Sequence, residues 1–118
     1  MTAETRLLAE VIRQAPDRAT WFISSDSYTG IKYILGSLLS ITEGDWIVNI
    51  TEANKDVIAS LIEKHGLALK IVHTSIESRE QTILLRGYDR MAFIGIKEDF
   101  YKNLNQEKIP PELDIELD

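Results

Sequence analysis

The chain has 118 residues, 44% hydrophobic and 27% charged. That is ordinary globular composition at a length able to bury one core but not two. It contains no cysteine, which excludes a disulfide scaffold, a thiolate nucleophile and a cysteine zinc site. Of the net charge of −6, residues 107–118 carry −4 through Glu107, Glu112, Asp114, Glu116 and Asp118 against Lys108. The near-neutral body lacks the basic concentration that phosphate-backbone binding needs, so nucleic acid is not an expected partner.

The first expected element is a helix in which Leu7, Leu8, Val11, Ile12 and Ala15 form one apolar stripe. Thr2 is its candidate N-cap, and Pro16 ends it, because the residue before proline leaves the helical region. Thr20-Trp21-Phe22-Ile23-Ser24 is a short, continuous, aromatic and β-branched run, which suits a strand buried on both faces of a parallel sheet. A second helix follows Ser25-Asp26-Ser27, with Ile31, Ile34, Leu35, Leu38 and Leu39 as its stripe. It is expected to run to Glu43-Gly44, with Gly30 and Gly36 as close-packing positions. Trp46–Ile50 is the second buried strand. A third helix carries Val57, Ile58, Leu61 and Ile62 and ends on Lys64-His65-Gly66, cations at the negative end of the dipole followed by a left-handed glycine. Ala68 to Thr74 is the third strand.

Residues 81–96 read as a β-hairpin turning at Gly87-Tyr88-Asp89-Arg90, in preference to a helix over 76–86. A final helix is expected over Lys97–Asn105, burying Phe100 and Leu104. Trp21, Phe22, Ile23, Ile47, Val48, Ile50, Ile71 and Phe93 are the expected core of the strands. Strands alternating with helices at this spacing imply right-handed crossovers and a parallel sheet. The expected fold is therefore α/β, an αβαβαβββα-type three-layer domain with a mostly parallel central sheet ending in a β-hairpin. The element order resembles that of thioredoxin-like domains in architecture only. The Cys-x-x-Cys pair is missing and no proline lies between Asp17 and Ile109, so thioredoxin chemistry is excluded. Residues 1–106 form the domain, and 107–118 an acidic tail.

In open parallel sheets ligands sit beyond the carboxyl ends of the strands. That rule gathers Ser24, Ser25, Asp26 and Ser27 from the first strand, Thr51 and Glu52 from the second and His73 from the third into one expected crevice, with Lys32 as an added charge for an anion. His73 with Asp26 or Glu52 would make an acid–base pair, and a nearby serine a nucleophile. The plainer reading is that Ser and Asp cap a helix and that a strand-end histidine is a surface residue. Two histidines without a metal-binding spacing give no metal site, and no cofactor is expected. Arg79, Arg86 and Arg90 cluster in the hairpin region, either as an anion or acidic-partner site or as a solvated surface balanced by Glu77, Glu80 and Asp89.

After Pro110-Pro111 the tail alternates strictly, Glu112-Leu113-Asp114-Ile115-Glu116-Leu117-Asp118. Period two is strand geometry. Leu113, Ile115 and Leu117 would grip a partner or a second copy by β-augmentation; otherwise the tail is an edge strand of its own sheet or a disordered segment. The expected function is a small soluble, cytoplasmic, non-catalytic binding or regulatory module of the inhibitor or immunity-protein class, acting on a protein partner or on itself. Tyr88 and Tyr101 are its candidate exposed aromatics. The alternative is a small enzyme or small-ligand sensor using the strand-end crevice. The N-terminus lacks the apolar segment of a signal peptide, and no apolar run is long enough to span a bilayer.

Overall fold

The computed structural model describes residues Met1–Asp118. Four helices, α1 (Ala3–Gln14), α2 (Tyr28–Leu35), α3 (Lys55–His65) and α4 (Glu98–Lys102), accompany seven strands. The strands are β1 (Ala19–Ser24), β2 (Leu39–Thr42), β3 (Asp45–Ile50), β4 (His73–Glu77), β5 (Ile83–Tyr88), β6 (Phe93–Ile96) and β7 (Ile115–Leu117). They form one sheet in the order β2-β3-β1-β4-β5-β6-β7.

The sheet is mostly antiparallel, which corrects the parallel expectation: of its six neighbour pairings only β6–β7 is parallel. The reason is an unexpected strand. Gly36 adopts φ +56 and ends α2 early. Leu39, expected on the helix stripe, instead opens β2, and Glu43-Gly44, both at positive φ, form the two-residue turn to β3. That is the primed hairpin geometry whose twist matches the flanking strands. With a hairpin ahead of it, β3 returns alongside β1 in the opposite sense. The third strand also begins later than expected: 67–70 is a short 3-10 turn, and pairing with β1 starts at His73.

The layer count is two, not three. Trp21 stands in register with Val48 and Ile76, Ile76 with Leu85, and Leu85 with Ile96. All five are buried in a single 27-residue core together with Leu7, Leu8 and Ile12 of α1, Ile31 and Leu35 of α2 and Ile58 and Ile62 of α3. The alternate residues of the same strands, among them Phe22, Ser75, Arg86 and Phe93, lie outside this core. Every helix therefore covers the same face, and the other face is open. Phe22 is only half-buried and Phe93 is 66% exposed, contrary to expectation, because both point to that open face. A bulge at Leu84 puts Leu84 and Leu85 both into the core.

Other expectations agree with the structure. Thr2 Oγ1 accepts the Thr5 N–H as the α1 N-cap, and Gly66 has φ +60 as the left-handed cap of α3. The hairpin after residue 81 is present as β5–β6, but Gly87 and Tyr88 belong to β5 and the turn lies at 89–92 instead of 87–90. The final helix is only five residues long, with Leu104 buried just beyond it. No helix is long and apolar enough to cross a membrane.

Candidate functional site

Antiparallel order splits the expected crevice. Ala19 at the start of β1 is in register with Ile50 at the end of β3, whereas Ser24 at the end of β1 is in register with His73 at the start of β4. Thr51 and Glu52 therefore lie near one end of β1 and Ser24–Ser27 and His73 near the other, separated by five residue steps, about 17 Å. An acid–base pair of His73 with Glu52 does not form. Thr51 and Glu52 serve the start of α3 instead. The Thr51 N–H donates to Asn54 Oδ1 at 2.8 Å, the Asn54 N–H donates to Thr51 Oγ1 at 3.2 Å, and Glu52 pairs with Lys55 at 3.0 Å.

At the other end Ser25, Asp26 and Ser27 do come together, with Gly30, Ile31, Lys70 and Arg90, around a hollow of about 390 Å³. Ser25 Oγ donates to the Lys70 carbonyl at 2.9 Å and accepts the Ser27 N–H at 3.3 Å, which is a turn-capping role. Asp26 is held by Arg90 Nη2 at 2.8 Å. Lys32 does not line the hollow. Arg90 is placed by a constrained turn. Asp89, Arg90 and Met91 have φ of +51, +55 and +67 in succession, a conformation that costs non-glycine residues about 1–2 kcal/mol each. Met91 offsets this by burying its side chain over Gly87, where an added Cβ would lie 2.4 Å from Met91 Sδ.

His73 and Ser24 face the open side of the sheet. Ladder pairing runs Ser24–His73–Tyr88–Phe93 across β1, β4, β5 and β6. The His73 and Tyr88 rings meet edge to face at 5.5 Å between centroids, and the Arg86 guanidinium lies 5.9 Å from the Tyr88 ring centre. Tyr88 is 44% exposed and Ile83 51%. Beside them a hollow of about 260 Å³ is lined by Phe22, Ser24, His73, Ser75, Arg86 and Tyr88, among others. Of this surface, Ser24, His73, Arg86 and Tyr88 are candidates from sequence. Phe22, Ile83 and Phe93 are not, because an unbroken apolar run does not say which residue faces which side.

The arginines do not form one cluster. Arg90 serves Asp26, Arg79 has no ion-pair partner, and Arg86 binds the tail. The ladder Ser75–Arg86–Gly95–Glu116 carries Arg86 over β6, and Gly95 leaves the space: a Cβ there would sit 2.5 Å from Arg86 Nε and 2.6 Å from Asp118 Oδ2. Arg86 grips Asp118 through two bonds of 2.8 Å and Glu116 through one of 3.1 Å. This fork holds Asp118 below the usual carboxylate range and strengthens the Arg86 charge. The tail is thus an edge strand of the chain's own sheet. Leu113 and Ile115 pack on its own core, as does Tyr101, and of the three grip residues only Leu117 is exposed, at 46%.

Comparison of the chain with protein-family models, curated proteins and solved structures finds no match.

Proposed function

We propose that the protein is a non-catalytic protein-binding module and that the helix-free face of its sheet is the recognition surface. The observation carrying this reading is the row His73–Tyr88–Phe93, flanked by Ile83 and Phe22. Large apolar side chains scattered singly over a surface need no explanation, but several gathered on one face mark an interaction site. Tyrosine and arginine at its centre are the side chains that dominate protein–protein hot spots. Asp26 and Arg90 neutralise each other, and Ser25 and Thr51 are engaged in caps, which leaves the polar loops with little free chemistry.

The decisive experiment compares Tyr88→Ser/Phe93→Ser with the unsubstituted chain in quantitative affinity capture, with thermal stability matched. The double variant should lose the captured partner. Undiminished capture would place the interface elsewhere. The competing reading, a small-ligand site, draws on the hollow lined by Ser25, Asp26, Ser27, Lys70 and Arg90. It predicts instead that Arg90→Ala abolishes function while the double variant does not.

A further inference from the structure

The two edges of the sheet differ in how they are protected. Edge strands expose unpaired N–H and C=O groups, and proteins blunt them with charge, proline or bulges. At the β7 edge Glu112, Asp114, Glu116 and Asp118 alternate along the strand after Pro110-Pro111. The β2 edge has none of these devices. From Tyr33 to Thr42 no residue is charged, there is no proline, and the β2–β3 register is unbroken. Ile41, which is β-branched and apolar, is 59% exposed there.

We propose that β2 is a pairing edge through which two copies of this chain join into one continuous sheet. The hydrogen-bond parity fixes the register. Thr42 and Asp45 flank a two-residue turn, so they form a hydrogen-bonded pair, and Ile41–Trp46 and Leu39–Val48 are then non-hydrogen-bonded pairs. Both backbone groups of Ile41 and the C=O of Leu39 consequently point outward, away from β3, whereas the Leu39 N–H is taken by the Gly36 carbonyl. An antiparallel second β2 with Ser40 on the two-fold axis sets Leu39 opposite the other copy's Ile41, and Ile41 opposite its Leu39. The Ile41 N–H of each copy then meets the Leu39 C=O of the other, giving two bonds, while the Leu39 N–H stays with Gly36 O, and the apolar side chains form two cross-strand pairs on the helix-covered side.

A second copy fits because the arrangement is self-complementary and no like charges meet across it. A strand pair this short buries far less than the roughly 1,200–2,000 Å² of a standard stable interface, so association is reversible and concentration-dependent. Pairing at β2 leaves the open face uncovered and places the open faces of both copies on the same side.

The test is sedimentation equilibrium over a wide concentration range, together with cysteine cross-linking in this cysteine-free chain. The average mass should rise from 13.4 kDa toward twice that value, and Ile41→Lys should abolish the rise. Ser40→Cys should oxidise to a covalent dimer, because residues facing each other in a non-hydrogen-bonded pair have Cα atoms about 4.5 Å apart, within disulfide reach. Thr42→Cys should not, since its two copies would lie about 14 Å apart along the strands. A constant monomer mass, an unchanged rise in Ile41→Lys, or equal cross-linking of the two cysteine variants would each overturn the proposal.

Discussion

Replacing Thr74 by valine should expose how much of the fold rests on one buried hydrogen bond. Trp21 is fully buried and its indole N–H donates to Thr74 Oγ1; Thr74 itself is only 6% exposed. Valine keeps the shape of threonine and removes the acceptor, so no cavity opens and the indole N–H loses its partner. An orphaned buried donor costs about 1–3 kcal/mol. For a chain of this length the unfolding entropy is about 0.25 kcal/mol per kelvin, so the melting temperature should fall by about 4–12 °C. The assay is a double-mutant cycle by urea and thermal unfolding: Thr74→Val in the native chain and again in Trp21→Phe, which has no N–H to orphan. The valine substitution should be close to neutral in the second background. The same loss in both backgrounds, or a loss below about 0.5 kcal/mol in the native chain, would refute the assignment.

Three further outcomes follow from the geometry. Gly95→Val should displace Arg86 from the tail, because its Cβ would occupy the space of Arg86 Nε and Asp118 Oδ2; faster amide exchange at Glu98 and Asp118, whose N–H groups bond Asp118 O and Ile96 O, is the readout. The docking of β7 should be acid-sensitive with a defined sign. The folded-state Asp118 lies below the ordinary value of 3.8, so its contribution is complete above that value and is lost as pH falls through the lower folded one. The same two amides should stay protected from neutrality down to about pH 4 and lose protection below it; loss already at about pH 6 would contradict the ion-pair origin. Gly66→Ala meets no atom within 4 Å yet must hold φ +60, so it should cost about 1 kcal/mol by conformation alone, read as a lower urea midpoint with unchanged slope.

Local signals were legible in the sequence wherever a residue type has a single backbone consequence. Thr2 as a cap, Gly66 as a left-handed terminus and the β5–β6 hairpin are of this kind. Strand direction was not legible, because it hung on Gly36 and Gly44. Gly36 inside an apolar stripe reads equally well as a packing glycine or a helix stop, and Glu-Gly is a weaker hairpin signal than Asn-Gly. Reading α2 through to residue 43 removed one strand and thereby inverted β3. That inversion alone carried Thr51 and Glu52 away from Asp26 and His73. The open face was hidden for a related reason. Trp21–Ile23 and Met91–Ile96 are apolar throughout, so neither displays the period-two contrast that separates Trp21 from Phe22 or Ile94 from Phe93.

The position of β1 at the middle of the sheet has a kinetic consequence. β1, β2 and β3 form one group and β4 to β7 another, and the strand ladder that joins them is β1–β4, which begins at Ser24–His73. Closing a loop of that length costs about 3 kcal/mol of chain entropy, whereas the β2–β3, β4–β5 and β5–β6 hairpins each close short loops. The rate-limiting step of folding should therefore be the meeting of two half-sheets. Side chains at the seam, Trp21, Thr74 and Ile76, should then govern how fast the chain folds, while changes in β2 or β7 alter mainly how fast it unfolds.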